Sequence, residues 1–555
     1  MKNILYIHTH DTGCFTSVYG KNVPTPHVKA FAEDALSFRH AFCASPTCSP
    51  SRGALLTGRY PHENGLIGLA HRGFSIQNPE THMASFFRSQ GFETVLCGVQ
   101  HEEKSYDYTS RSMVYSQTLG YEKNLSFLQE EGCQVDGCQA DHINAERTAE
   151  YLLHRCSDRP FFLSYGMFQT HRPYPESETF DPESVELPEG VFDTEEARLD
   201  TSALYESLAQ FDRNFQIVMD ALKAAGLYEN TIIISTTDHG LANPFSKCTL
   251  FDRGIGVSLI VRIPQYPLTH GTWYNGMVSH VDLFPTLCDA EGLPKPAWLS
   301  GVSLLPVFEN PQHQIRDHVF AEINFHTSYE PARCIRTQRY KYIRYYDEAW
   351  DKYNMTNCDD SALKGFLVQA GWREQSKPRE LLFDLYFDPM ENNNLVCDSE
   401  YEEVLQHLRL ALHDWQIRTH DRIPAWQDYK GLCKLNRRDD LSPTVTDPSQ
   451  LDSAIEAAVT HQVHRSGRCI TERVYYESER STSNHGERQK CLLLRHCRLP
   501  SGPKKLCGPE AQRSGSCLPR VGCDGCAFLP EPWFRWFFRS EVQSDQCLAA
   551  EMASV

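Results

Sequence analysis

The chain is 555 residues long and carries 54 lysines and arginines against 72 aspartates and glutamates, a formal charge of −18, which argues against nucleic-acid binding by bulk charge. Its 41% hydrophobic and 23% charged residues give a globular composition with room for several domains, and its longest apolar stretches, such as Thr231 to Ser235 and Val257 to Ile263, fall far short of the ~20 residues of a membrane-spanning helix. The apolar run Ile4 to Ile7 is too short for a secretory signal, so the chain as given reads as cytoplasmic, or as secreted or periplasmic if a leader is missing.

Taken in chain order, β-branched and aromatic runs alternate with segments of helical period. Asn3 to His8, Glu93 to Val99, Pro160 to Met167, Thr231 to Thr237 and Val257 to Ile263 read as core strands. Between them Val28 to Phe38, Ile143 to Arg155 and Leu204 to Ala225 repeat apolar residues at helical spacings, with Gly226 as a stop signal. This alternation predicts an α/β fold, a mostly parallel central sheet covered by helices on both faces. Arg172 to Gly190, rich in proline and acid, reads as an irregular surface excursion. After a first domain over 1–315 the pattern shifts. Cys334 to Tyr345 and Leu381 to Leu385 are strand-like and Tyr401 to Arg418 is an amphipathic helix, which predicts a smaller C-terminal α+β subdomain over 316–430.

Beyond residue 430 the periodicity fades, and residues 431–555 are expected to form a poorly ordered tail without a core of its own. Cysteine usage steps at the same place, with 12 cysteines before residue 430 and nine in the last 126 residues. The earlier ones are expected to be free, mostly buried thiols. In the tail, Cys523-Asp524-Gly525-Cys526 is a CxxC without a second pair at zinc spacing, and the aromatic cluster Trp533 to Phe538 reads as an apolar scrap rather than a docking patch.

Ligands in parallel sheets gather beyond the carboxyl ends of the strands. His10-Asp11 follows the first strand and Asp238-His239-Gly240 follows the strand ending at Thr237. Their carboxylates suit a hard cation, and their imidazoles a softer one. Cys48-Ser49-Pro50-Ser51-Arg52 places a nucleophile just before a proline suited to the first turn of a helix, where anions are held. Arg52 beside it is permanently charged.

The run from Cys48 to Arg59, inside a longer agreement from Thr25 to Gly65, resembles the signature of the type I sulfatases. The resemblance implies an alkaline-phosphatase-like fold in which Cys48 is oxidised by a formylglycine-generating maturation enzyme, so that a hydrated aldehyde supplies the nucleophilic hydroxyl. It implies one divalent metal, calcium in most of the family, held by Asp11, Asp238, His239 and the residue at position 48. His10 stands where the family usually has its first aspartate, which leaves the metal's identity open; its side chain is expected to face substrate or solvent. Gly98-Val99-Gln100-His101 is similar to the family's Gly-Lys-x-His with Val99 in place of the lysine, and His101 takes the role of the base that releases sulfate. His171, in Gln169-Thr170-His171-Arg172-Pro173, matches the histidine that assists the leaving group, and Lys247 a lysine that binds sulfate.

Further agreement at Arg336 to Tyr342, Leu382 to Leu385, Asp388-Pro389 and Asn394-Leu395 extends the resemblance over about residues 1 to 425, and within the family Cys48 to Gly65 with the loop around His62 is most similar to the heparan N-sulfatase branch. The implied function is hydrolysis of a sulfate ester or sulfamate on a sulfated glycan or small molecule, with no nucleic-acid or membrane partner. Two alternatives stay open: a phosphonate monoester or phosphodiester hydrolase of the same superfamily, and an inactive binding protein that kept the fold.

Overall fold

In the computed structural model of the protein, residues 1–103, 117–127 and 136–442 are described; the tail motifs at Cys523 to Cys526 and Trp533 to Phe538 lie outside the described residues. The first strand, β1 (Asn3–Thr9), is buried along its whole length, and its side chains divide by parity. Ile4 and Tyr6 enter one apolar cluster and Leu5 and Ile7 another, as expected of a strand covered on both faces. With β2 (Leu36–Phe42), β3 (Glu93–Gly98), β4 (Lys123–Asn124), β5 (Phe161–Gly166), β6 (Thr231–Thr237), β7 (Leu259–Arg262) and β8 (Thr272–Ser279), it builds an eight-stranded sheet in the order β4-β3-β5-β1-β6-β7-β2-β8. β1 is parallel to β5 and β6, Ile4 lying opposite Phe162 and Ile232. β7 runs antiparallel to its neighbours β6 and β2. The α/β fold with a mostly parallel sheet is therefore the observed one.

The expected helix over Val28 to Phe38 instead covers only Pro26–Ala32, and the chain turns into β2 at Leu36. Phe38 continues the helical spacing of Val28, Phe31 and Ala35, but Leu36, Phe38 and Phe42, buried in the main core, lie at strand spacing, and pairing with β7 and β8 decides it. The helix expected from Leu204 begins nine residues earlier, at Glu195, because Thr194 caps it by accepting from the Ala197 amide and Glu195 and Glu196 stabilise its first turn. It ends at Ala224, and Gly226 takes the left-handed conformation (φ 69°).

A second sheet, of four antiparallel strands, has the order β12-β11-β10-β9: β9 (His318–Phe325), β10 (Tyr329–Thr337), β11 (Tyr340–Tyr345) and β12 (Glu380–Asp384). The single strand-like run expected over Cys334 to Tyr345 is a hairpin, reversing between Thr337 and Tyr340. The helix Glu402–Arg418 lays Leu405, Leu408, Leu412 and Trp415 on Phe320, Ile335, Tyr342 and Leu382 of this sheet. Ala54 and Tyr60 of the first domain enter the same cluster, so the small sheet braces the helix Cys48–Thr57 from behind. Residues 431–442, the start of the expected tail, bond to this body: the Lys434 amide donates to the Arg72 carbonyl (2.7 Å) and the Asn436 amide to the Thr327 carbonyl (2.8 Å). Among the described cysteines, Cys43, Cys48, Cys97, Cys248, Cys288 and Cys334 are buried free thiols; Cys397 departs from the expectation and is disulfide-bonded. No helix among the described residues is long and apolar enough to cross a membrane.

Candidate active site

The carboxyl ends of β1, β3, β5 and β6 and the N-terminus of the helix Cys48–Thr57 converge on one place. Arg52, one turn into that helix and 1% exposed, fastens it to the strand ends. Its Nη2 donates to Asp238 Oδ2 (2.9 Å) and the Thr9 carbonyl (3.0 Å), and its Nη1 to His8 Nδ1 (2.5 Å). Ser51 Oγ donates to the Asp238 carbonyl (2.6 Å), and Thr47, just before Cys48, bonds His326 Nδ1 (2.6 Å). The backbone turn after β1 puts Asp11 at φ 55°; its amide donates to Asp238 Oδ1 (2.8 Å), which also accepts from the His239 amide (2.9 Å).

His10, Asp11, Cys48, Asp238 and His239 each bring a ligand atom within 4.8 Å of all the others, and all five are buried. His239 Nδ1 donates to the Gly240 carbonyl (3.0 Å), which turns Nε2 toward Cys48 Sγ (3.4 Å) and Asp11 Oδ1 (3.3 Å). His10 departs from the expectation that it faces substrate or solvent. It is fully buried, with Nδ1 at 2.9 Å from Asp11 Oδ1 and 3.1 Å from Asp238 Oδ2, because an imidazole placed between two converging carboxylates is drawn to both. His10 Nε2 is buried without a hydrogen-bond partner. Two carboxylates and two imidazoles, one of them with an orphaned ring nitrogen, form a donor set that fits a divalent cation.

Lys247 closes the other side. Its ammonium lies 2.8 Å from Asp11 Oδ2, 2.8 Å from Asp359 Oδ2 and 3.3 Å from His171 Nε2. His171 donates from Nδ1 to the Arg172 carbonyl (2.5 Å), so in its neutral form Nε2 is the acceptor facing Lys247. Burial and the Lys247 charge push the His171 pKa down to about 4. Burial alone would raise the Cys48 thiol, but Lys247 and His10 outweigh it and bring the pKa to about 7. Burial works against the charges of Asp11 and Lys247, yet each holds the other ionised: the carboxyl stays well below its usual range and the ammonium well above. His101 is buried, its Nε2 3.1 Å from Nδ1 of His71, with the two rings stacked; burial and His71 keep its pKa well below the ordinary histidine value. Val99, in the expected lysine position, is buried and apolar.

The structure thus gathers every residue singled out from the sequence. It adds three from loops that the sequence left unassigned: His71, His326 and Asp359. His326 comes from the turn between β9 and β10 and Asp359 from the connection between β11 and β12, and the only local signal is the acidic doublet Asp359-Asp360 in a polar segment.

A sulfatase family model matches residues 2–293, more than half of the chain, and a model described as N-sulphoglucosamine sulphohydrolase, C-terminal, matches residues 238–370. The chain is 27% identical over 480 residues to the human N-sulphoglucosamine sulphohydrolase, covering 76% of this chain and 91% of that one. It is 28% identical over 427 residues to an ulvan-active sulfatase of Formosa agariphila, covering 73% and 77%. Among solved structures, one bound to its substrate D-glucosamine-2-N,6-O-disulfate superposes with a TM-score of 0.59 at 18% identity, covering 76% of this chain and 99% of that chain. The phosphonate monoester hydrolase of Agrobacterium radiobacter gives 0.59 at 20% identity, covering 77% and 97%. These structural likenesses establish the fold, and the family model the lineage: the chain belongs to the sulfatase family.

Proposed function

We propose that this protein hydrolyses the sulfate ester or sulfamate of a sulfated sugar, with an amino sugar as the favoured class, and that Cys48, Arg52, His101, His171 and Lys247 carry out the reaction. The observation that carries the proposal is the position of Cys48 at a helix N-terminus inside the ring of His10, Asp11, Asp238 and His239, with the buried Lys247 and the partly exposed His171 beside it. The amino-sugar class is supported by the C-terminal family model, by the N-sulphoglucosamine activity of the human relative and by the glucosamine disulfate bound to the solved neighbour.

Conversion of Cys48 to formylglycine supplies a hydroxyl nucleophile where the thiol now lies. A divalent ion held by Asp11, Asp238 and His239 with the residue at 48 supplies positive charge to the sulfate oxygens. Arg52 keeps the Asp238 carboxylate aimed inward, and Lys247 adds a second fixed positive charge where negative charge develops. The His171 side chain is 20% exposed, so its Nε2 can take a proton from solvent and pass it to the leaving oxygen or nitrogen, while Lys247, 3.3 Å away, stays an ammonium. His101, kept neutral, is able to accept a proton when sulfate departs.

For the ion we propose calcium, which the two carboxylates suit. The inward position of His10 favours manganese or zinc as the competing reading. Metal analysis of the wild type and His10→Ala separates them, since a nitrogen-ligated ion is lost with His10 and calcium is retained. We assign residues 1–315 as the catalytic domain and 316–430 as a subdomain that completes the site. Protein from a host with competent maturation machinery tests the function: formylglycine at position 48 by peptide mass, with N-sulfoglucosamine turned over faster than an aryl phosphonate. Unmodified Cys48 without turnover points instead to an inactive binding protein, and a strong phosphonate preference to the phosphonate hydrolases.

A further inference from the structure

The inner cluster is closed: the side chains of His10, Asp11, Asp238 and His239 are 0–1% exposed and that of Lys247 is 3% exposed. Exposure rises at the rim, to 20% at His171 and 15% at Asp359. A sulfate drawn to the inner cluster therefore leaves its carbon skeleton between these two side chains. His171 faces the leaving atom. Asp359, the carboxylate at 2.8 Å from Lys247, has no role in the reaction as described.

Its surroundings are built rather than incidental. The Ser328 amide donates to Asn357 Oδ1 (2.9 Å), Ser328 Oγ to Asn354 Oδ1 (3.0 Å) and Thr327 Oγ1 to the Thr356 carbonyl (2.6 Å). On the other side, the buried Lys364 holds the Cys358 carbonyl (2.8 Å) and the Asp360 carboxylate (2.9 Å). The residues before and after Asp359 are thus anchored, and Asp360 is held by Lys364 and accepts from Ser442 Oγ. Asp359 instead reaches across to a lysine whose charge Asp11 already meets at 2.8 Å. Asp11 also meets the ring nitrogens of His10 (2.9 Å) and His239 (3.3 Å), whereas Asp359 Oδ2, beyond its ion pair with Lys247, is buried without a hydrogen-bond partner, and a desolvated acceptor is costly unless a ligand uses it.

We propose that Asp359 is a specificity-determining residue: its carboxylate accepts hydrogen bonds from hydroxyl or amino groups next to the sulfate of the substrate, and repels substrates that carry a carboxylate there. The inference rests on the sulfatase reading and narrows its substrate class to neutral or amino sugars over sulfated uronic acids. A fixed acceptor rejects a ligand that lacks the matching donor, because the acceptor is then left desolvated and unpaired.

Binding, measured apart from turnover, tests this. Calorimetry on Cys48→Ala protein, with and without Asp359→Asn, uses two probes: N-sulfoglucosamine, rich in donors, and 4-nitrophenyl sulfate, which has none beside the ester. The expected result is about tenfold or greater weakening for the sugar, under about threefold for the aryl sulfate, and partial recovery of the sugar in Asp359→Glu, with thermal midpoints unchanged. Equal weakening of both probes shows that Asp359 acts only through Lys247 and overturns the proposal, as does no change in either. Should Asp359→Asn fold poorly, Asp359→Glu compared with Asp359→Ser carries the same selectivity measurement. Turnover by the wild type is read separately: if neither probe is hydrolysed while the selectivity of binding holds, the sulfatase reading fails and the assignment of Asp359 stands.

Discussion

Two buried clusters in this molecule are built from the same kinds of residue and do opposite things. In the first, His10, Asp11, Cys48, Asp238 and His239 converge; in the second, His62, Glu322 and Asp421 likewise bring ligand atoms within 4.8 Å of one another. The difference lies in where the positive charge sits. In the second cluster Arg333, fully buried, lies between the carboxylates, its Nε 2.7 Å from Asp421 Oδ2 and 3.3 Å from Glu322 Oε2, with His62 Nδ1 on Glu322 at 2.7 Å. The place a metal would take is filled by a guanidinium, and the cluster joins the first domain to β9, β10 and the segment after the long C-terminal helix. In the first cluster Lys247 holds Asp11 Oδ2 and leaves Oδ1 to the ring nitrogens of His10 and His239, while Arg52 reaches Asp238 Oδ2 from the helix side and shares it with His10 Nδ1, so neither cation stands between the two carboxylates. Composition alone does not mark a metal site; the position of the compensating cation does.

The comparison breaks first at the nucleophile. Cys48→Ala is expected to lower turnover by a factor on the order of 10^6, the scale seen when a covalent nucleophile is removed, with the fold kept and metal bound more weakly for want of the ligand at 48; steady-state assay, thermal unfolding and metal titration check the three. Retained turnover would place the chemistry elsewhere. Asp238→Asn comes next. It removes one ligand and leaves Arg52, 1% exposed, beside a neutral amide, so metal content is expected to fall from about one per chain toward zero and stability by about 3–5 kcal/mol, read by metal analysis and denaturant titration. Asp421→Asn in the second cluster should leave metal content unchanged, and a loss there would erase the distinction drawn between the clusters.

Arg333→Met sharpens the same contrast through stability alone. Two buried carboxylates lose the cation between them, and the expected cost is about 3–5 kcal/mol with metal content and KM near wild type. A folded variant that binds an extra equivalent of metal would show that only the guanidinium had kept the second cluster from being a site.

How much of this was legible in the sequence follows the same division. The first cluster lies at strand ends, where β-branched runs stop and a short polar motif begins, so Asp11, Asp238 and His239 could be placed from local pattern, and Cys48 and Arg52 from a motif on one helix turn. The direction of His10 could not, because it is set by two carboxylates that arrive from strands 227 residues apart. Asp359, His326 and the Arg333 cluster depend on how a second sheet docks, and nothing within a dozen residues of them encodes that contact. The missed strand β2 is a failure of another kind, since Phe38 belongs both to the helical series Val28, Phe31, Ala35 and to the alternating pair Leu36, Phe38, and tertiary pairing chose between them.

The smallest expected effect concerns the protonation of His62. Burial lowers its pKa, but the Glu322 charge, the hydrogen bond to it and Asp421 outweigh burial and hold the value above that of an ordinary histidine. A histidine whose pKa rises on folding adds stability that is fully present below the unfolded value of about 6.5 and is lost as pH rises through the folded value. Neutral His62 can still donate from Nδ1 to Glu322, so only the charged part of the bond disappears, within the roughly 1.5–3 kcal/mol of a hydrogen bond to a charged group. His62→Gln keeps a donor without the charge. The wild type is therefore expected to be more stable than His62→Gln at pH 6, with the gap closing as the pH is raised toward 9 in denaturant titrations. A gap that stays constant over that range would mean that His62 is neutral in the folded protein, and that Arg333 alone supplies the positive charge of the second cluster.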